Sequence, residues 1–180
     1  MAIPISIKPV EVHINADRRL VFQYLTAFGM PGPDGERTST VLVEEDGRRL
    51  VEFFSTVKML GRTRRVRTVE WVTEEEPSVI SFDGVKGPLP LLRDRLELDD
   101  HGGSCTMLRY YSTIGARAGI LGWPINVLYA KPLVERHMRE HLLELKEVIE
   151  LRAQHSHAYP HQAYAHDAPS GPVAVEVEIG

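Results

Sequence analysis

Apolar residues near the start of the chain recur first at every second position and then at every third or fourth. They alternate with polar residues from Ile7 to Ile14, which predicts a strand. Asn15 to Asp17 then supplies helix-capping chemistry, and DRRLVFQYLTAF repeats at helical spacing until Gly29. The opening therefore predicts one strand followed by a short helix with a single apolar face.

From Arg37 onward the period of the apolar residues is two. Asp46 and Gly47 form a hairpin signal, because tight turns need residues that accept positive backbone angles. Short turns, with no helix between them, separate six strand-like segments: STVLVEE, RRLVEFFSTVKM, RTRRVRTVEWV, VISFDGV, LLRDRLELDD and CTMLRYYSTI. Consecutive strands joined in this way predict an antiparallel meander.

A long helix is predicted after the loop GARAGILGWP, from Pro124 to about Arg152. Its length of roughly 43 Å would let it lie across the whole sheet. Pro132 inside it predicts a kink, because proline removes one hydrogen bond and clashes with the preceding turn. The predicted buried stripe consists of Val134, Met138, Leu142, Leu145, Val148 and Ile149.

Beyond Arg152 the composition changes to a segment rich in His, Ala and Pro without apolar periodicity. This change predicts one domain over residues 1–152 and a flexible tail over residues 153–180. Strict alternation returns in VAVEVEIG, which predicts a terminal strand over residues 173–179.

Charge and composition exclude several classes of protein. The net charge is −4, and the segment from Ala153 to Gly180 holds three acids and no Lys or Arg, which leaves −4 + 3 = −1 for the rest. A nearly neutral body lacks the positive field of a nucleic-acid binder. No stretch reaches the roughly 20 apolar residues that a membrane span needs. With the single Cys105 and no leader-like N-terminus, we expect a cytoplasmic protein without stable membrane insertion or a nucleic-acid partner.

The order of these elements resembles the START-like, helix-grip superfamily. The segment GVKGPLPLLRDRLELDDHGGSCTMLRYYSTI, followed by a Gly-rich loop and PLVERHMREHLLELKEVIE, is similar to its polyketide cyclase/dehydrase and lipid-transport branch, SRPBCC. VEVHINADRRLVFQYLTAF resembles the first strand and helix of that branch. The resemblance covers about residues 7 to 152, and it implies an α+β fold in which a curved antiparallel sheet wraps around a long C-terminal helix.

That resemblance also implies a ligand cavity between the sheet and the long helix. Physical reasoning points the same way, since a curved sheet cannot contact one helix along its whole length. Alternation, taken with the helix stripe, predicts these ligand-binding residues: Phe53, Val57, Trp71, Phe82, Leu96, Leu108, Tyr110, Val134, Met138, His141 and Leu142.

Polar residues on these predicted faces are candidates for catalysis. Asp94 would be costly to bury alone, but Arg93 and Arg95 flank it and Arg109 follows on the next strand, so we favour an ion pair within the sheet over a catalytic acid. His141 is interpreted chiefly as a core or rim histidine and alternatively as a proton shuttle. Tyr110 and Tyr111 point to opposite faces, so that one hydroxyl reaches the cavity.

Other conspicuous side chains carry less functional weight. One basic run consists of Arg62, Arg64, Arg65 and Arg67. Because glutamates lie nearby, we interpret it as part of a solvated, salt-bridged sheet face rather than as an anion-binding site. The tail histidines, His155, His157, His161 and His166, have irregular spacing and no carboxylate or thiol cluster around them. We therefore predict no metal and no cofactor.

Three functions stay open at this point. The first is a non-catalytic binder or carrier of a lipid, isoprenoid, quinone or polyketide-like molecule. A cyclase or dehydratase that uses Asp94, Tyr110 and His141 is the second, and a catalytic role is the less favoured of these two. The third is an interaction module in which the terminal strand pairs with its own domain or with a second copy, which would give a homodimer.

Overall fold

A computed structural model of the protein describes residues 2–31, 35–59, 62–117 and 131–155. The strands and helices in these ranges are β1 (Ala2–Ser6), β2 (Val10–Ile14), α1 (Arg18–Leu25), β3 (Ser39–Glu45), β4 (Arg48–Met59), β5 (Arg62–Glu75), β6 (Val79–Lys86), β7 (Leu92–Asp100), β8 (Thr106–Arg117) and α2 (Lys131–His155). Neither described helix is both long and apolar enough to cross a bilayer.

The strands form one antiparallel sheet in the order β1-β8-β7-β6-β5-β4-β3, and β2 also pairs with β8. Its strands β3 to β8 are the six predicted segments of the meander. Asp46 and Gly47 both have positive φ between β3 and β4, as the hairpin signal required. The α+β helix-grip fold is therefore confirmed.

The first strand of the sheet differs from the prediction, because the chain pairs with β8 twice. Residue pairs run from Ala2↔Arg117 to Ser6↔Thr113 in β1 and from Val10↔Tyr110 to Ile14↔Thr106 in β2. Pro4 lacks a backbone N–H and is compatible with β1 because that strand lies at the edge of the sheet.

Helix α1 begins where the capping chemistry predicted. The Asp17 carboxylate accepts hydrogen bonds from the backbone N–H groups of Arg19 at 2.8 Å and Leu20 at 3.4 Å. The helix ends at Leu25, earlier than the predicted Gly29, and the Thr26 hydroxyl donates to the Phe22 carbonyl at 2.9 Å. Val21 and Phe22 attach the helix to the core.

Helix α2 lies alongside β2 and is attached to it at two levels. The Lys8 N–H donates to Glu135 Oε1 at 3.0 Å, and the Asn15 N–H donates to Glu150 Oε1 at 2.7 Å. The fifteen residue steps from Glu135 to Glu150 rise about 22 Å along the helix, and the seven from Lys8 to Asn15 extend about 23 Å along the strand. The helix and the strand therefore run side by side in the same direction.

The C-terminal end of this long helix needs correction. The helix is described from Lys131 onward, directly after residues 118–130, so the kink predicted at Pro132 stays a prediction. The predicted start at Pro124 falls in residues 118–130, outside the described residues, as does the predicted strand 173–179. At the other end the helix continues to His155, and Ala153 is fully buried.

The sheet has an inner face, whose side chains point toward α1 and α2, and an outer face. The buried core on the inner side combines residues of the sheet with both helices, including Val51, Val72, Ile80, Leu98, Leu108, Val21, Leu142 and Ile149. Of the residues predicted to bind a ligand, Phe53 on β4, Leu96 on β7, and Leu108 and Tyr110 on β8 lie on this inner face.

Candidate functional site

Burial of the inner face falls along β6 and β7 from one end to the other, whereas Ser112 and Ile114 keep the inner face of β8 buried at 4% and 2% exposure. Leu98 and Leu108 are 1% and 0% exposed and lie near the Thr106 end of β8. Further along the strands, Phe82, Leu92 and Asp94 are only half-buried. The fold thus has a closed end, sealed by helices, and a more open end.

Helix α2 shows the same gradient along its length. Leu142, Ile149 and Ala153 are buried, whereas Val134 and Met138 are half-buried. Because Ile7 N–H bonds to the Ser112 carbonyl and Lys8 is attached to Glu135, the first half of α2 lies level with Ser112. The less covered part of the helix therefore faces the open end of the sheet.

Asp94 lies on the inner face at this open end, and the predicted ion pair is wrong. Its neighbours along β7 point outward, where Arg93 pairs with Asp83 and Arg95 with Glu97. Arg109 is likewise outside and pairs with Glu11 and Asp99. Among the described residues, no Lys or Arg nitrogen lies within salt-bridge distance of the Asp94 carboxylate.

The polar neighbours of Asp94 come from β8. Ser112 lies directly opposite Asp94 in the strand register, and Tyr110 lies two residues further along. Burial raises the pKa of Asp94, and the Ser112 and Tyr110 hydroxyls only partly oppose it. Burial, followed by the charge on Asp94, raises the pKa of Tyr110 above its ordinary value. Both groups are held in their protonated forms more strongly than in water.

Two oxygens of this cluster are buried without a hydrogen-bond partner among the described residues. They are Asp94 Oδ1 and Ser112 Oγ. Their residues face each other closely enough for Ser112 to affect the Asp94 pKa, but the geometry does not complete a hydrogen bond between them. Since an unsatisfied buried polar atom costs roughly 1–3 kcal/mol, both atoms are suited to a partner brought by a ligand.

A second carboxylate, Glu70, belongs to the same face and was not predicted. It is 7% exposed and accepts a hydrogen bond from the Thr68 hydroxyl at 2.6 Å. Burial raises its pKa, the Thr68 hydrogen bond lowers it, and the charge on Asp94 raises it further. One feature of the sequence could have identified Glu70. Arg65 and Arg67 indicate which alternate residues of β5 point to the outer face, so Thr68, Glu70 and Val72 must point to the inner face.

Aromatic rings lie beside the two acids. Phe82 pairs directly with Asp94 across β6 and β7, and Phe53 pairs with Thr68 across β4 and β5. The centroids of these two rings are 6.1 Å apart, and Phe28 approaches them edge-on at 5.6 Å from Phe53 and 6.4 Å from Phe82. The open end therefore combines carboxyl groups with phenyl rings.

His141 lies on α2 between Met138 and Leu145, as the stripe predicted, but its side chain is exposed. Burial nevertheless lowers its pKa, the nearby His137 lowers it further, and Glu144 raises it. Its charged neighbours are on its own helix.

The remaining predicted ligand-binding residues fall into different environments. Leu96, Leu108, Tyr110 and Leu142 are at most 8% exposed and belong to the core. Trp71 points to the outer face, opposite Val72, with the Arg48 guanidinium 4.3 Å from its ring centroid. The side chain of Val57 is outside the described residues.

The outer face is largely a surface of ion pairs and cation–π contacts. Within the predicted basic run, Arg67 pairs with Glu52, and Arg65 lies 4.6 Å from the Phe54 ring centroid. No group of three potential metal ligands occurs in the described part of the chain. Of the tail histidines, only His155 falls within that part, and its Nδ1 lies 2.7 Å from the Leu151 carbonyl.

Two open grooves adjoin the site. One, of about 410 Å³, separates the first turns of α2 from the start of β2. Another, of about 530 Å³, touches Asp94 and Ser112, but most of its lining belongs to outer-face residues such as Arg93, Arg95 and Tyr111. We therefore assign neither groove as the ligand site.

Comparison with known proteins adds a family match and a fold match. The family model described as polyketide cyclase / dehydrase and lipid transport matches residues 9–150. The structure of TTHA0849 from Thermus thermophilus is similar with a TM-score of 0.65 and 15% identity, over 83% of this chain and 99% of that one. No curated protein matches in sequence.

Two enzymes or enzyme domains share the fold at low identity. Norcoclaurine synthase from Thalictrum flavum has a TM-score of 0.59 and 10% identity, over 85% of this chain and 88% of that one. The di-domain ARO/CYC BexL from the BE-7585A biosynthetic pathway has a TM-score of 0.60 and 12% identity, over 80% and 49%. This chain thus spans about half of BexL, and at these identities the likeness shows the fold alone.

Proposed function

Because the chain belongs to the polyketide cyclase / dehydrase and lipid transport family, we propose that it binds an apolar small molecule between the first half of α2 and the open end of the inner face. One observation carries the proposal: apolar side chains on both sides of this space, such as Phe82 and Met138, are only half-buried. Each square ångström of such surface covered by a ligand contributes about 25 cal/mol.

The ligand classes that we propose are lipids, isoprenoids, quinones and polyketide-like aromatics. Thermal unfolding with a panel of one compound from each class tests binding, because a ligand present at 100 times its Kd stabilises the folded state by about 2.7 kcal/mol. Native mass spectrometry of the same mixtures gives the stoichiometry. No stabilisation and no bound mass with any member would contradict the proposal.

A matched pair of variants locates the binding site. Phe82→Ala removes a ring from the inner face, whereas Phe54→Ala removes the same ring from the outer face, where it lies under Arg65. We expect Phe82→Ala to weaken ligand binding and Phe54→Ala to leave it unchanged. Equal losses in both variants would argue against a ligand on the inner face.

A cyclase or dehydratase is the second candidate, favoured by the buried cluster of Asp94, Tyr110 and Ser112. Acids whose pKa is raised by burial are suited to proton transfer near neutral pH. A poly-β-ketone thioester analogue, incubated with the protein and followed by mass spectrometry, should lose water faster than in buffer. Asp94→Asn should abolish that acceleration. If the analogue loses water no faster with the wild-type protein than in buffer, the catalytic candidate is contradicted and the binding function stands.

His141, which was grouped with Asp94 and Tyr110 at the outset, is a weaker part of this second candidate. The charged groups that act on it are His137 and Glu144 on its own helix. In a catalytic protein, His141→Gln should slow the reaction less than Asp94→Asn. An equal loss of rate would restore His141 as a proton carrier.

A further inference from the structure

The two inner-face carboxylates, Glu70 and Asp94, have no cationic partner among the described residues. The Thr68 hydroxyl and the charge on Asp94 act on Glu70, and the Ser112 and Tyr110 hydroxyls act on Asp94. Neighbouring arginines are committed elsewhere: Arg49 to Glu74 on the inner face, and Arg67, Arg93, Arg95 and Arg109 to acids on the outer face. Two acids on the same face of the sheet without a counter-charge are suited to a cation from outside.

Ser112 provides a second indication of a ligand. Its side chain is on the inner face opposite Asp94, the residue is 4% exposed, and Oγ has no hydrogen-bond partner among the described residues. A hydroxyl oxygen accepts hydrogen bonds as readily as it donates. Together, Ser112 Oγ and Asp94 Oδ1 form a pair of adjacent acceptors for a group with several N–H donors.

The phenyl rings beside the acids favour the same chemistry. Phe82 lies directly across from Asp94, and Phe53 is its neighbour in the ring cluster at 6.1 Å. The negative face of an aromatic ring attracts a cation that has lost part of its water. A carboxylate pair, an acceptor hydroxyl and phenyl rings are complementary to an alkylammonium group on an apolar skeleton.

We propose that the ligand of this site is an apolar amine, whose protonated nitrogen binds to Glu70 and Asp94 and donates to Ser112 Oγ while its skeleton packs against Phe82. This assignment rests on the proposed function and names its ligand class. A neutral or anionic ligand of the same shape would leave the acids without a counter-charge. An anionic one would in addition be repelled.

Three probes that share one skeleton test the assignment: 2-(2-naphthyl)ethylamine, 2-(2-naphthyl)ethanol and 2-naphthylacetate. Titration at pH 7, followed by naphthyl fluorescence, gives a Kd for each. We expect the amine to bind about tenfold or more tightly than the alcohol, and the carboxylate to bind most weakly. An alcohol that binds as tightly as the amine would overturn the assignment and leave the proposed function intact. Failure of all three to bind would count against both.

The double variant Glu70→Gln/Asp94→Asn removes both charges with little change in shape. It should bring the amine to the affinity of the alcohol while the alcohol keeps its own. The control is Asp83→Asn/Glu97→Gln, which removes two outer-face charges and changes the net charge equally. An amine preference that survives in the first variant, or that disappears in both, would contradict the proposal. Circular dichroism of each variant verifies folding.

Discussion

At the scale of single residues, the buried acids Glu70 and Asp94 oppose the stability of the fold. Because burial raises the folded-state pKa of each above its ordinary value of 4.5 or 3.8, the folded protein holds its protons more tightly than the unfolded chain. The stabilising contribution is fully present below the ordinary value and is lost as pH rises through the folded-state pKa. Wild-type protein should therefore lose stability across that range.

Neutral isosteres should remove this loss. We expect Glu70→Gln and Asp94→Asn each to raise Tm at pH 7 by about 2–4 °C, the shift that roughly 1 kcal/mol gives in a domain of this size. The gain should shrink as pH falls toward the ordinary values of 4.5 and 3.8, because the wild-type acids then take up protons. Thermal melts between pH 4 and 8 measure it. Exposed Asp83→Asn is the control, and a lower Tm at pH 7 in both isosteres would contradict the argument.

The residue scale also shows why sequence reasoning misjudged this cluster. Arg93 and Arg95 adjoin Asp94 in the chain, but successive residues of a strand point to opposite faces, so neither arginine can pair with it. Glu70 was missed because Val69 and Trp71 made the other alternation of β5 look equally apolar. Whether a side chain points inward or outward depends on its partners on the neighbouring strands. The register of that pairing cannot be deduced from the sequence of one strand.

At the scale of elements, the cap of α1 makes a testable contribution. Asp17→Ala removes the acceptor for the N–H groups of Arg19 and Leu20, and loss of such a cap costs about 0.5–2 kcal/mol. Urea unfolding should show a lower midpoint with an unchanged slope. Asp17→Asn should restore the midpoint, since asparagine caps equally well. An unchanged midpoint in the alanine variant would show that the cap is not needed here.

The attachment of α2 to β2 can be tested at one amide. Glu150→Ala removes the acceptor of the Asn15 N–H, whose hydrogen bond of 2.7 Å is part-buried. We expect hydrogen exchange of the Asn15 amide to accelerate by at least about tenfold, equivalent to roughly 1.4 kcal/mol of local protection. Glu135→Ala, at the exposed Lys8 end, should affect its own amide and leave Asn15 protected. Equal exchange at Asn15 in both variants and wild type would contradict the attachment.

The features that were predicted correctly are those whose sequence patterns lie within a few neighbouring residues. Turn chemistry at Asp46 and Gly47 and the cap at Asp17 are contained in a few residues, and both were confirmed. Strand β1 was missed because its pairing with β8 spans most of the chain and Pro4 argues against a strand when read alone.

At the scale of the whole molecule, the fold is closed at one end and more open at the other. Helix α2 closes the first end with Leu142, Ile149 and Ala153, while its first half faces the carboxylates and phenyl rings. We therefore expect the closed end to contribute most to stability and the proposed ligand to bind at the other end. A ligand at the open end should slow amide exchange most in β6 and β7, where Phe82 and Asp94 lie.

The end of α2 also sets where the chain can be shortened. Composition placed the domain boundary after Arg152, but Ala153 is 0% exposed and the helix continues to His155. We expect a chain that ends at His155 to keep its Tm within about 2 °C, because residues 156–172 show no apolar periodicity. A chain that ends at Arg152 should melt at least about 4 °C lower, since it loses a buried residue and the last turn of a core helix.

The same truncation tests the hypothesis that residues 173–179 pair as an added strand. Without strand addition, the chain that ends at His155 should have the same subunit number by light scattering as the full-length protein. The same sheet amides should also stay protected. A loss of dimer mass, or faster exchange along the edge strands β1 and β3, would instead show that the tail supplies a strand to its own sheet or to a second copy.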